Sequence, residues 1–209
     1  MCDVSRVMKA GVQPGGAESP ISVSFAGGDA GGWRVDRIDE VRGQGLESVS
    51  RLAVVEGGAD TFFRSGARWV LLGVTSHDRY STAGERQRLL AAQAPLGRPE
   101  ATRAALIPIK KSEDWWALTH DERRAIFEER SHHIATSLDY LPTIARRLHH
   151  SRDLGQPFDF LTWFEYAPTA VDGFEELVRR LRMSDEWTFV EREIDIRLTR
   201  EPSAINRSG

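Results

Sequence analysis

The sequence is poor in cysteine. Its one thiol, Cys2, stands beside the N-terminus, so no disulfide can form within the chain and a cysteine-based zinc site has no second ligand. No run approaches the roughly 20 apolar residues that a membrane-spanning helix needs. The opening MCDVSRVMKAGVQPGGAESP also has no apolar stretch of the secretory kind. We therefore expect a cytoplasmic protein, with no membrane partner. Charge of one sign is lacking as well: 28 Lys and Arg face 31 Asp and Glu, a net charge of -3. That argues against a broad nucleic-acid surface. The glycine cluster AGGDAGGW has neither the lysine of a phosphate loop nor a dinucleotide fingerprint, and GxSxG and HExxH are absent.

What is present is an ordinary globular composition. The chain has 209 residues, 40% hydrophobic and 28% charged, enough for one large domain or two small fused ones with a real core. Residues 1–20 read as a loose tail and EPSAINRSG, 201–209, as a frayed one. ISVSF, WRVDRI, SRLAVVE and RWVLLGVTS predict strands, the last carrying Val70, Leu71, Leu72 and Val74 in a nearly continuous run. Residues 83–94 predict a helix, which APLGRPE ends, and ALIPI predicts a short extended segment. Thr119 and Glu122 have capping-box spacing, so a helix should start at about 120 and run to about 140, where Pro142 breaks it. PTIARRLHHS predicts a second helix that carries Arg146 and Arg147, with His149 and His150 exposed near its end. FDFLTWFEYA predicts a strand. VDGFEELVRRLR predicts an amphipathic helix with Phe174, Leu177, Val178 and Leu181 on one face. WTFVEREIDIRLT alternates and predicts a strand with Val190, Ile194, Ile196 and Leu198 turned inward. The order implies an α+β fold, with helices over one face of an antiparallel sheet. The first half fits a reduced version of the same unit, without a visible sequence repeat.

Four features are candidates for chemistry. His133 shares a helical side with Ile126, Ser137 and Leu141, whereas His132 lies on a polar side with Glu128 and Glu129. An inward histidine beside a small residue suits a haem or metal ligand, and equally a core histidine bonded to a carbonyl. Glu165 lies in an apolar strand on the face of Leu161 and Trp163. A buried carboxylate there needs a partner, either a ligand histidine or one of the many arginines. Arg146 or Arg147 can hold a small anion in its donor fork, or be solvated. Trp115 and Trp116, just after Lys110 and Lys111, suit a flat cofactor with carboxylate tails and equally suit packing.

One long run ties these residues together: GRPEATRAALIPIKKSEDWWALTHDERRAIFEERSHHIATSLDYLPTIARRLHHSRDLGQPFDFLTWFEYAP. With SFAGGDAGGW, WVLLGVTSHDRY and AAQAPLG upstream and LRMSDEWTFVERE downstream, it resembles the chlorite dismutase family, most of all its short-chain lineage. The likeness spans about 22–200 and is weaker over about 35–65. The resemblance implies a haem b (iron protoporphyrin IX) enzyme that converts chlorite to chloride and dioxygen through a ferryl haem and transient hypochlorite. It implies ferredoxin-like units forming an antiparallel β-barrel with helices outside. The units would be a reduced N-terminal one at 21–95 and a haem-binding C-terminal one at 96–200. It also implies a homodimer. The family's iron ligand falls on His133, its carboxylate partner on Glu165 and its distal arginine on Arg146. Gln93 resembles the glutamine that bonds this arginine, and Lys111 and Trp116 resemble residues along the haem edge and propionates. A coproporphyrin haem decarboxylase, a weak peroxidase and a non-catalytic haem carrier are the alternatives on the same fold; the decarboxylases lack the distal arginine.

Overall fold

The structure is a computed structural model that describes residues 21–57, 66–75 and 80–201. The expected N-terminal tail, and all but the first residue of the C-terminal one, lie outside the described residues. Four strands come from the first half: β1 (Ser22–Gly28), β2 (Trp33–Arg42), β3 (Arg51–Glu56) and β4 (Trp69–Thr75). Four come from the second: β5 (Arg103–Lys111), β6 (Ile144–His150), β7 (Phe160–Tyr166) and β8 (Val190–Arg200). They close into an antiparallel barrel in the order β1-β3-β2-β8-β5-β7-β6-β4. Cut at its two seams, the barrel is β4-β1-β3-β2 joined to β8-β5-β7-β6. Each half runs fourth, first, third, second, which is the ferredoxin-like order. The duplication that the sequence hides is therefore written in the topology.

Strand alternation divides the apolar residues between two cores. Phe25, Leu52, Leu71, Leu106, Leu161 and Ile196 fill the barrel interior. Ala105, Ile107, Ile144 and Phe164 turn outward from the second sheet and meet helix α5 (Val171–Arg182). On α5, Phe174, Leu177, Val178 and Leu181 recur at helical spacing and are buried. Each such side chain contributes roughly 1.5–3 kcal/mol. Beneath the same helix, Arg182 binds Glu193 and Asp195, and Arg197 binds Asp195 and Glu175, so the buried charges of β8 are paired.

The two halves differ in their crossovers. Only four residues, 29–32, link β1 to β2. Gly31 sits there at φ +141, and a Cβ on it would lie 2.3 Å from the Leu52 carbonyl, so only glycine fits this close turn. The matching β5–β6 connection is long and carries α2 (Glu113–Ala117), α3 (His120–Arg124) and α4 (His133–Leu138). Helix α1 (Ala83–Ala92) follows β4.

Several sequence expectations need correction. PTIARRLHHS is not a helix: Ile144–His150 is strand β6, held to β7 by seven registered pairs. A short segment of mixed polarity fits either period, and the open edge of β7 decides it. His149 and His150 are consequently buried, not exposed. Burial pushes the His149 ring down to about 4, while its Nδ1 bonds the Leu161 carbonyl at 3.0 Å. The helix expected over 120–140 keeps its Thr119–Glu122 capping box but breaks. Residues Ala125–Arg130 widen into a π-helical turn, and His132 adopts the left-handed region at φ 51, ψ 38 before α4 begins. The last strand starts at Val190, and its WTF belongs to a 3-10 turn, Asp185–Phe189. A bulge between Lys110 and Lys111 shifts the β5–β8 register. Val190 accordingly packs under α5 rather than inside the barrel.

Helix α1 has its own capping box, Thr82 with Glu85. The Glu85 carboxylate also takes two hydrogen bonds from Arg124, at 2.8 and 2.7 Å. Those bonds from Arg124, and then the Thr82 contacts, outweigh burial and lower Glu85 to about 2. The unfolded chain protonates this group near its ordinary value, about 4.3. Stability from Glu85 is therefore fully present above that value and is lost as the pH falls towards about 2. Glu85→Gln is expected to flatten the fall of melting temperature between pH 5 and 3, by up to about one proton per molecule. Parallel curves for the two proteins would refute it.

Candidate functional site

The outward face of the second sheet and the helices over it enclose the site. The space between them, including a part open to solvent, is about 1030 Å³. Alternation selects the sheet residues that reach it: Ile109 and Lys111 from β5, Arg146 and Leu148 from β6, Phe160 and Thr162 from β7. The crossover supplies Trp115, Phe127, His133 and Ser137. Most of the lining is apolar. Its described ionisable members are Lys111, His133, Arg146, His150, Glu186, Glu193 and Tyr80.

His133, Glu186 and Lys111 form a chain. His133 Nδ1 lies 2.7 Å from Glu186 Oε2. Glu186 Oε1 accepts a hydrogen bond from Lys111 Nζ at 2.8 Å. Burial pushes the Glu186 carboxyl up, but Lys111 and His133 beside it outweigh burial and hold it at about 2. An ionised carboxylate only accepts, so in the neutral ring the proton sits on Nδ1 and the Nε2 lone pair is left for a ligand. The His133 ring stacks on Phe127 at 4.3 Å. Lys111 Nζ lies 4.6 Å from the centre of the Trp115 ring and 5.5 Å from that of Trp187. Trp187 in turn donates Nε1–H to Glu193 at 2.7 Å. The cation of the chain is thus walled by two indoles, out of water.

Of the residues expected at the site, the structure brings together His133, Arg146 and Lys111. Glu165 is elsewhere. It shares the barrel-interior face with Leu161 and Trp163, and β7 presents only Phe160, Thr162 and Phe164 to the cavity. Its carboxylate takes hydrogen bonds from Trp163 Nε1, the Gly97 amide and Arg200. The carboxylate on His133 is Glu186, a correction that strand parity dictates. Lys111 reaches Glu186 rather than projecting to an open rim, because it is 3% exposed. Gln93, at the C-cap of α1, donates Nε2–H to the Arg146 backbone carbonyl at 2.7 Å and does not line the cavity. Trp116 stands behind Phe160, donates to Asp159 at 3.2 Å and lies under the guanidinium of Arg152, 3.8 Å from the ring centre. Arg146 lies on a strand whose even positions face the cavity. Glu186 was not singled out from the sequence; its one local sign is an acidic pair set directly before Trp187.

This donor set fits a haem better than a bare metal ion. Among the described residues no three His, Cys, Asp or Glu side chains cluster as metal ligands. A metal bound through His133 would have to bring its other ligands with it, as a macrocycle does. The apolar walls and the ring nitrogen left on His133 suit such a group.

Comparison with known proteins agrees. A sequence model described as chlorite dismutase matches residues 63–201. A chlorite dismutase from Ideonella dechloratans is 40% identical over 62 residues, 30% of this chain and 20% of the relative, so the match spans a fifth of that protein's length. A dimeric chlorite dismutase structure from Nitrobacter winogradskyi is 55% identical, with a TM-score of 0.80, covering 86% of this chain and 99% of that one. The chlorite dismutase from Candidatus Nitrospira defluvii in complex with imidazole shares the fold, at 24% identity and a TM-score of 0.64 over 89% of this chain and 93% of that one. No helix among the described residues is long and apolar enough to cross a membrane. Fold, cavity and similarity converge, and the chain belongs to the chlorite dismutase family.

Proposed function

We propose that the protein binds haem b in this cavity through His133 and converts chlorite to chloride and dioxygen. The observation that carries the proposal is the His133–Glu186–Lys111 chain facing an apolar cavity that also holds Arg146. Bound haem would supply a redox-active iron able to take an oxygen from chlorite and return it. Overall one chlorite gives one chloride and one dioxygen, so no outside electron donor is needed.

The chain's residues divide the remaining work. Glu186 holds the Nδ1 proton of His133, which orients the ring and makes it a better donor. Lys111 keeps Glu186 ionised. Arg146 offers a fixed cation for the substrate anion and for the hypochlorite left after one oxygen is removed. The apolar walls strengthen that attraction by excluding water. The similarity to a dimeric enzyme over nearly its full length supports a homodimer.

The test is an oxygen electrode with haem-reconstituted protein and chlorite. Rapid oxygen in one-to-one yield is the expected result, and His133→Ala is expected to lose haem and oxygen together. A normal haem spectrum with no oxygen would reject the proposal, and coproporphyrin haem with peroxide would then test the decarboxylase alternative.

A further inference from the structure

The hydrogen bond between His133 and Glu186 joins side chains 53 residues apart, from α4 and from the 3-10 turn before β8. A 2.7 Å contact between two separate elements needs their backbones locked in register. The structure shows what locks them. Ser131, two residues before the ligand, accepts the Glu186 backbone N–H on its Oγ at 2.9 Å. The same short segment therefore grips the main chain of Glu186 through Ser131 and its side chain through His133.

A second clasp sets the start of α4. His132 holds a left-handed conformation, which costs a residue with a Cβ roughly 1–2 kcal/mol and turns the chain sharply between the π-helical turn and α4. The turn leaves the first amides of α4 without helical acceptors. Glu128 reaches across it and accepts Ile134 N–H at 2.6 Å and Ala135 N–H at 3.1 Å. It also accepts the His132 N–H on its backbone carbonyl at 3.0 Å. One residue of the π-helical turn thus fixes the backbone on both sides of His133.

We propose that Ser131 and Glu128 are positioning residues, which hold His133 and Glu186 at the separation and angle that set the strength of the iron–histidine bond. The inference rests on His133 as the iron ligand. Neither residue lines the cavity itself, so Ser131 acts through Glu186 and Glu128 through the backbone around His133.

The test uses full-length protein reconstituted with haem, and reads the iron–histidine stretch of the ferrous form by resonance Raman, the rate of haem transfer to apomyoglobin, and the melting temperature of the apoprotein. Ser131→Ala is expected to lower the stretching frequency and speed haem loss about tenfold, the lower end for lost ligand support. Ser131→Thr, which keeps the hydroxyl, is expected to restore both. Glu128→Ala is expected to act in the same direction, and Glu128→Gln, which retains one acceptor oxygen, to fall between. A lower melting temperature with an unmoved stretch and transfer rate in both alanine variants would make the residues merely structural and overturn the inference. Absence of an iron–histidine band in the wild type would instead overturn the ligand assignment on which it rests. If Ser131→Ala does not fold, the Glu128 pair decides by the same readouts.

Discussion

Replacing Arg146 by alanine is expected to leave haem uptake intact and to cut the number of chlorite turnovers before inactivation at least tenfold. Uptake should survive because the residues that carry the proposed ligand, His133, Glu186 and Lys111, come from α4, the turn before β8 and β5, and are bonded to one another. The backbone contact from Gln93 should survive as well, since it uses the Arg146 carbonyl and not the guanidinium. What is lost is the arginine of a mostly apolar lining. A hydrogen bond to a charged group contributes about 1.5–3 kcal/mol, which lengthens the stay of a bound anion roughly ten- to a hundredfold. Without it, hypochlorite would leave before dioxygen forms and would attack the cofactor and the cavity's indoles. Arg146→Lys keeps the charge but not the planar fork, and should lie between the two. The measurement is total oxygen released per haem, with a chlorine scavenger trapping escaped hypochlorite. An alanine variant with wild-type turnover number and no trapped hypochlorite would remove Arg146 from the mechanism.

Much of this site was legible in the sequence, and the failures have one physical cause. Helical spacing singled out His133 over His132, and the structure keeps that distinction: His133 meets the cavity, and His132 is the exposed hinge. Alternation likewise placed Glu165 beside Leu161 and Trp163, which is where it lies. The error was to read that face as the site. Knowing that Leu161 and Trp163 fill a barrel would have excluded Glu165, but closure depends on the β2–β8 and β4–β6 seams. Such pairings between distant segments leave no local pattern. The same holds for β6, whose strand character comes from its ladder to β7. Glu186 was hidden for a related reason. Its chemistry comes from Lys111 and His133, 75 and 53 residues away, and the acidic pair before Trp187 does not by itself point to either.

The pair Glu186 and Lys111 carries the other large expected effect. Both are nearly out of water, at side-chain exposures of 6% and 3%. Glu186→Ala leaves the Lys111 ammonium buried between Trp115 and Trp187 without its carboxylate. Breaking such a pair costs about 3–5 kcal/mol, a loss to be read from urea unfolding of the apoprotein. Haem affinity should fall about 10–100-fold at the same time, because His133 Nδ1 loses the acceptor that orients the ring. These two effects have different origins, and a second substitution separates them. Adding Lys111→Met to Glu186→Leu removes both charges and fills the space with apolar groups, which is often neutral or stabilising. The double variant is therefore expected to recover most of the lost stability, yet keep the weakened haem affinity, since His133 still has no carboxylate. Recovery of both would mean that the ion pair supports only the fold, and that the orientation of His133 comes from elsewhere. Recovery of stability alone would identify the buried charge as the means by which the fold, at a cost to itself, holds the histidine ready for its metal.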